Sequence, residues 1–259
     1  MGVNTIKYYG VILPLLMSLC PNSALAASPV EKMAHSSSSR SIVNVRPGHA
    51  VVQLGTFWST QGQAQDVNIQ YLIGNQYTVF KARQWNGLAG LGYFLDGLDK
   101  ERLHLSYGLN GFYLAPTSVS GTIIQEHLFT NLSYGYKIQH VPLYLAGKAV
   151  ANTMSDRLKA TFDVGIGPNF MHIGSYNETP LTDYSLPDYA YTSRSKVNFS
   201  ATAGIGLRLL DVFGKAPLEC GYRFFYLGQS QLVINNDQFT NPLKTGNVYA
   251  NAIVCSFAV

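Results

Sequence analysis

Between residues 158 and 170 apolar and polar positions alternate. Leu158, Ala160, Phe162, Val164, Ile166 and Phe170 fall on one side, and Lys159, Thr161, Asp163, Gly165, Gly167 and Asn169 on the other. A period of two predicts a long strand with one apolar face, because successive side chains of a strand point to opposite sides. The alternation recurs. In 127–138 Leu128, Leu132, Tyr134, Tyr136 and Ile138 oppose His127, Asn131, Ser133, Gly135 and Lys137. In 197–209 Val197, Phe199, Ala201, Ala203, Ile205, Leu207 and Leu209 oppose Asn198, Ser200, Thr202, Gly204, Gly206 and Arg208. In 218–226 Leu218, Cys220, Tyr222, Phe224 and Tyr226 oppose Glu219, Gly221, Arg223 and Phe225. The pattern predicts strands near 50–60, 68–80, 86–95, 102–114, 122–138, 141–151, 157–172, 196–210, 217–229 and 246–259, and no helical period of comparable strength interrupts them.

The polar faces decide what the apolar ones touch. A sheet facing bulk water usually carries Lys and Glu there, which guard against edge-to-edge association. Here the polar faces are Gly, Ser, Asn and Thr, suited to a cramped interior, and charged residues are only 12% of the chain, against roughly 25% in an average soluble domain. The expectation is an all-β, antiparallel up-and-down transmembrane β-barrel, apolar outside and polar within. Closure is required, since an open strand edge in hydrocarbon leaves backbone groups unsatisfied. The turn-rich segments 173–195 and 230–245 read as outer loops, 211–216 and 152–156 as inner turns, Gln139-His140 as an outer turn, 115–121 as an inner turn and 96–100 as an outer one. That parity gives ten strands, or eight if one early hairpin does not span. The net charge of +4 is small and its cations are scattered, so nucleic acid is not suggested.

Residues 1–26 read as a signal peptide: Lys7, an apolar run from Tyr8 to Cys20, and a small-residue site at Ala24-Leu25-Ala26. The run is too short to span a bilayer as a helix, which takes about 20 residues. A lipoprotein reading through Cys20 is disfavoured by Leu19 before it. Residues 27–48 read as a flexible lead-in and 49–259 as the barrel. The implied destination is the bacterial outer membrane, reached through the general secretory pathway, with periplasmic chaperones as transient partners and membrane lipid as the lasting one.

The stretches 199–209 (FSATAGIGLRL), 216–228 (APLECGYRFFYLG) and 248–259 (VYANAIVCSFAV) resemble the closing strands of small outer-membrane barrels of the opacity-protein and outer-membrane-protein-A type. The resemblance covers about the last 100 residues, and its motifs belong to a fold rather than an activity. It implies insertion by the barrel assembly machinery, which reads a terminal aromatic residue. Here the chain ends on Val259, with Phe257 on the face of Tyr249 and Ile253.

Candidate chemistry is sparse. Lys148, Lys159, Asp163, Arg208, Glu219 and Arg223 share the inward parity, either as ion pairs that plug the lumen together with Phe225 or as the lining of a narrow pore. Cys220 and Cys255 share a midpoint with the 230–245 loop, so a symmetric hairpin would set them opposite each other, whereas a register offset of one or two residues would not; they are either small apolar residues or a cross-strand disulfide. His172 and Ser175, where a strand meets an outer loop that holds Asp183 and Asp188, are the nearest approach to a catalytic set. They are too ordinary to nominate an enzyme. The six His are dispersed, with no ligand-spaced cluster for a metal and no cofactor motif. Tyr184, Tyr189 and Tyr191 in the same loop are either a surface for a host or neighbouring ligand or interfacial aromatics. The functional classes left open are a structural or surface-interaction barrel, a narrow passive pore and a barrel enzyme that modifies lipid A.

Overall fold

The computed structural model describes residues 48–81, 83–153, 155, 157–213 and 216–258. The expected signal peptide and most of the lead-in, and the terminal Val259, lie outside the described residues. In chain order the strands are β1 (Gly48–Thr60), β2 (Gln65–Val67), β3 (Asn75–Tyr77), β4 (Trp85–Lys100), β5 (Leu103–Gln125), β6 (Phe129–Asn152), β7 (Leu158–Pro180), β8 (Tyr191–Thr192), β9 (Arg194–Phe213), β10 (Ala216–Gln231), β11 (Val233–Ile234) and β12 (Lys244–Ala258). Ten of them share one antiparallel sheet, and a pairing of β5 with β6 closes it. The closed ring runs β1, β4, β5, β6, β7, β9, β10, β12 and back to β1, eight strands up and down. Both termini of the ring lie at one end, the inner end. The long connections lie at the other, the outer end.

The up-and-down barrel expected from the alternation is present, with the smaller of the two strand numbers in its ring. Two segments account for the difference. Residues 68–80 do not cross; they carry only β3, which adds to the outer part of β5 through Asn75 opposite Gln125 and Tyr77 opposite Ile123. The predicted strands 122–138 and 141–151 are not separate either: β6 runs unbroken through Gln139 and His140, and 115–121 belongs to β5 rather than to a turn. The segment 96–100 is consequently at the inner end, where β4 turns into β5, not at the outer end.

The faces explain the misreading. Around the inner two thirds of the barrel the outward positions are apolar and exposed: Leu54, Leu91, Leu109, Leu143, Leu145, Phe162, Val164, Ile166, Phe199, Ile205, Leu207 and Ile253 among them. That belt meets acyl chains, as the alternation in 158–170 and 197–209 implied. Farther out, β5, β6 and β7 extend beyond the belt and the sense reverses. Leu132, Tyr134, Tyr136 and Ile138 are buried inside the barrel, with Lys137 exposed, so the expected outward orientation of 127–138 is inverted; Leu128 alone of that set is exposed. Water surrounds this outer extension, and an apolar face there turns inward for the usual hydrophobic reason.

Two devices, one in the sequence and one in the backbone, produce the reversal at one level. In β6 and β7 the strand continues and the apolar positions change parity, between Ile138 and Val141 in one and between Phe170 and Met171 in the other. In β5 the apolar parity stays the same and a bulge flips the facing: the pairing with β6 slips between Leu114 and Thr117, at Ala115 and Pro116. A proline without an N–H fits such an interruption of the ladder.

Candidate functional site: a sealed lumen under a folded cap

Starting from the inner end, the lumen holds polar and charged side chains. Lys148 Nζ lies 2.7 Å from Glu219 Oε1, Arg208 Nη2 2.9 Å from Glu219 Oε2, and Arg223 Nη2 2.6 Å from Asp163 Oδ1. Five of the six residues singled out in the sequence thus form two ion-pair groups. Lys159 stands at the level of Arg208, its register partner, and among the described residues no ion pair reaches it. Arg223 reaches Asp163 because the position between them, on β9, is Gly204; a Cβ there would sit 2.8 Å from the Asp163 carboxylate. A further group that the sequence did not suggest lies nearer the mouth: Asp96 Oδ1 is 3.2 Å from His104 Nε2 and 3.5 Å from His49 Nδ1. Among the described residues no cluster has the make-up of a metal site.

Above the charges the lumen is closed by rings. Phe112, Tyr144 and Phe225 come from β5, β6 and β10, and Phe112 meets Phe225 edge-on with centroids 5.2 Å apart and Tyr144 at 6.2 Å. Arg223 packs over the same Phe112 ring at 5.0 Å, joining the charged layer to the aromatic one. Two cavities among the lumen charges measure about 20 and 10 Å³, room for no more than about one water each.

The outer end is closed again by its own connections. Residues 61–81, 181–193 and 232–243 fold over the barrel and bond to one another: Gln70 N donates to Gln238 O at 2.8 Å, Thr240 N to Asn68 O at 3.0 Å, and Asn235 N to Ala190 O at 2.9 Å. β8 pairs with β11, Thr192 opposite Val233. Beneath lies an aromatic core in which Tyr77 meets Tyr134 at 5.1 Å and Tyr191 meets Tyr176 at 5.5 Å and Phe239 at 5.8 Å. Glu178 fastens the 181–190 loop by accepting from the backbone N–H groups of Tyr189 at 2.9 Å and Ala190 at 3.2 Å.

Of the three loop tyrosines, Tyr184 and Tyr189 are exposed, but Tyr191, on β8 where it pairs with β11, is buried in the cap core against Tyr176 and Phe239. Cys220 and Cys255 are direct register partners of β10 and β12, and their sulfur atoms are joined. Phe225 blocks the lumen and is fully buried. His172 does not meet Ser175; its hydroxyl partner is Ser195 on β9.

Apolar belt, closed ring and outer extension define a transmembrane β-barrel. No family model matches the chain, and no curated protein matches its sequence. In three dimensions it is similar to the outer membrane protease OmpT from Escherichia coli (9% identity, 82% of this chain and 95% of that one covered, TM-score 0.47). It is also similar to the outer membrane protein OprG from Pseudomonas aeruginosa (12% identity, 83% and 97% covered, TM-score 0.44) and to Neisserial surface protein A (11% identity, 81% and 96% covered, TM-score 0.37).

Proposed function

We propose that this chain is a non-conducting barrel of the bacterial outer membrane, exported by a cleaved signal peptide and inserted by the barrel assembly machinery, whose outer cap is an interaction surface. The observation that carries this reading is the double closure of the lumen: a buried aromatic layer at mid-height and a folded cap above it. A solute path would need both to open together.

The cap presents exposed apolar side chains from three connections: Tyr71, Leu72 and Ile73, then Leu128 and Phe129, then Tyr184, Leu186 and Tyr189. These connections are held together by Asn75, whose side chain accepts from Glu126 N and donates to Asp188, each at 3.4 Å, and by Ser185, whose hydroxyl donates to Asn131 O at 3.1 Å. A water-facing apolar surface on a fixed frame suits recognition of another molecule at the cell surface. The test is planar-bilayer recording of the refolded protein. No stable conductance step is expected at neutral pH, and regular steps that change with Arg223→Ala would favour the pore reading instead.

A further inference from the structure

His172 of β7 and Ser195 of β9 are direct register partners on the outside of the barrel, and the Ser195 hydroxyl lies 2.8 Å from His172 Nδ1. Gln139 of β6 stands opposite His172 on its other side. The row has a defined depth: one step inward the outward side chains are Val141, Phe170 and Val197, all exposed on the belt. Depth therefore matches the polar boundary of the outer leaflet, where ester bonds of membrane lipids lie beside a hydrocarbon core about 30 Å thick.

Two hollows meet at this place. A pocket of about 310 Å³ surrounds the pair, with Val141, Phe170 and Val197 on its apolar side and Lys196 on its edge. It shares Val141 and Phe170 with a larger apolar groove of about 850 Å³ on the belt, lined by Leu54, Leu91, Tyr113 and Leu143. Gly111 lies in the middle of that groove and leaves it deep, where any side chain would stand on the floor. Lipid surrounds the belt, so the occupant at hand for the groove is an acyl chain.

We propose that this row is a second functional site, an ester-cleaving site that acts on acyl esters of outer-leaflet amphiphiles, with the acyl chain in the Gly111 groove. A hydroxyl within hydrogen-bond reach of an imidazole is the arrangement of an activated nucleophile and its base. With the ring proton on Nε2, Nδ1 accepts the Ser195 proton as Oγ attacks the carbonyl carbon. The bond to the alcohol oxygen breaks, and the alcohol leaves with that proton. Water then attacks the acyl-Ser195 ester, its proton passing through His172 to Oγ, which releases a fatty acid and restores both residues. Gly174 is a positioning residue, because a Cβ there would come within 2.9 Å of His172 Nε2 and displace the ring.

The test uses the full chain, refolded in vesicles of phosphatidylethanolamine and phosphatidylglycerol and, in parallel, of lipopolysaccharide, with folding of every variant checked by heat-modifiable migration. Wild type is expected to react with a small fluorophosphonate at Ser195 and to release fatty acid from one or both lipids. Ser195→Ala is expected to abolish both signals, and His172→Ala to lower them by about 10²-fold or more, the usual size of a lost general base. Gly111→Trp is expected to lower fatty-acid release while sparing the small probe, and Ser175→Ala to change neither. Folded wild type that neither labels nor releases fatty acid from either lipid overturns the proposal, as does labelling that survives Ser195→Ala.

Discussion

Glu219 is the acid on which two cations depend, since Lys148 and Arg208 each bond a different oxygen of its carboxylate. Removing one partner of a buried ionic group leaves the others uncompensated, so Glu219→Gln is expected to destabilise the barrel by about 3–5 kcal/mol. Lys159→Ala is expected to change stability by less than about 0.5 kcal/mol, as for a residue outside such a group. Urea unfolding of the protein reconstituted in lipid vesicles reads both, and equal costs would show that the ion pairs are not what hold the lumen. At this scale the sequence was informative about facing and silent about pairing. Glu219 and Arg223 share the inward parity of one strand yet bond to different elements, because register sets Arg208 beside Glu219 and leaves a gap at Gly204 through which Arg223 reaches Asp163. The hairpin arithmetic for Cys220 and Cys255 worked because the two register slips between them and the loop, one at Ser230/Gln231 and one at Tyr226/Gly228, cancel.

At the scale of the element, a change of hydrophobic phase has two causes that look alike in a sequence. One is a turn, which restarts the alternation; the other is a strand that passes from lipid to water. The shift between Ile138 and Val141 is of the second kind, and reading it as a turn split β6 and inflated the strand number. In β5 the bulge at Ala115 and Pro116 did the opposite, hiding the same boundary behind an unbroken parity. The boundary is open to a direct check. Leu145→Arg, on the belt, is expected to cost about 2–4 kcal/mol, the penalty for a cation on the lipid face near mid-depth. Ser120→Arg, exposed on the outer extension of β5, is expected to stay within about 0.5 kcal/mol, as ordinary surface substitutions do. Equal penalties at the two positions would mean that β5 and β6 are immersed along their whole length.

For the whole molecule, the cap converts a barrel into a closed body, and its stability is tied to acidity through Asp188. Burial pushes that carboxyl up from its ordinary value and the nearby Glu178 carboxylate pushes the same way, against hydrogen bonds from Gln125 and Asn75. A carboxyl whose value in the fold is raised stabilises the structure when protonated; that contribution is full below its unfolded value and is lost as pH rises through the raised one. The cap is therefore expected to be tighter in mild acid than at neutrality. Amide exchange of residues 181–190, corrected for intrinsic rates, is expected to be slower at about pH 4 than at about pH 7, with the difference much reduced in Asp188→Asn. Loops that merely lay over the barrel would show no such dependence, because a carboxyl left in water keeps its ordinary value. Exchange that is insensitive to pH, or faster in acid, would mean that Asp188 is solvated and the cap open, and with it would go the second of the two closures on which a non-conducting barrel rests.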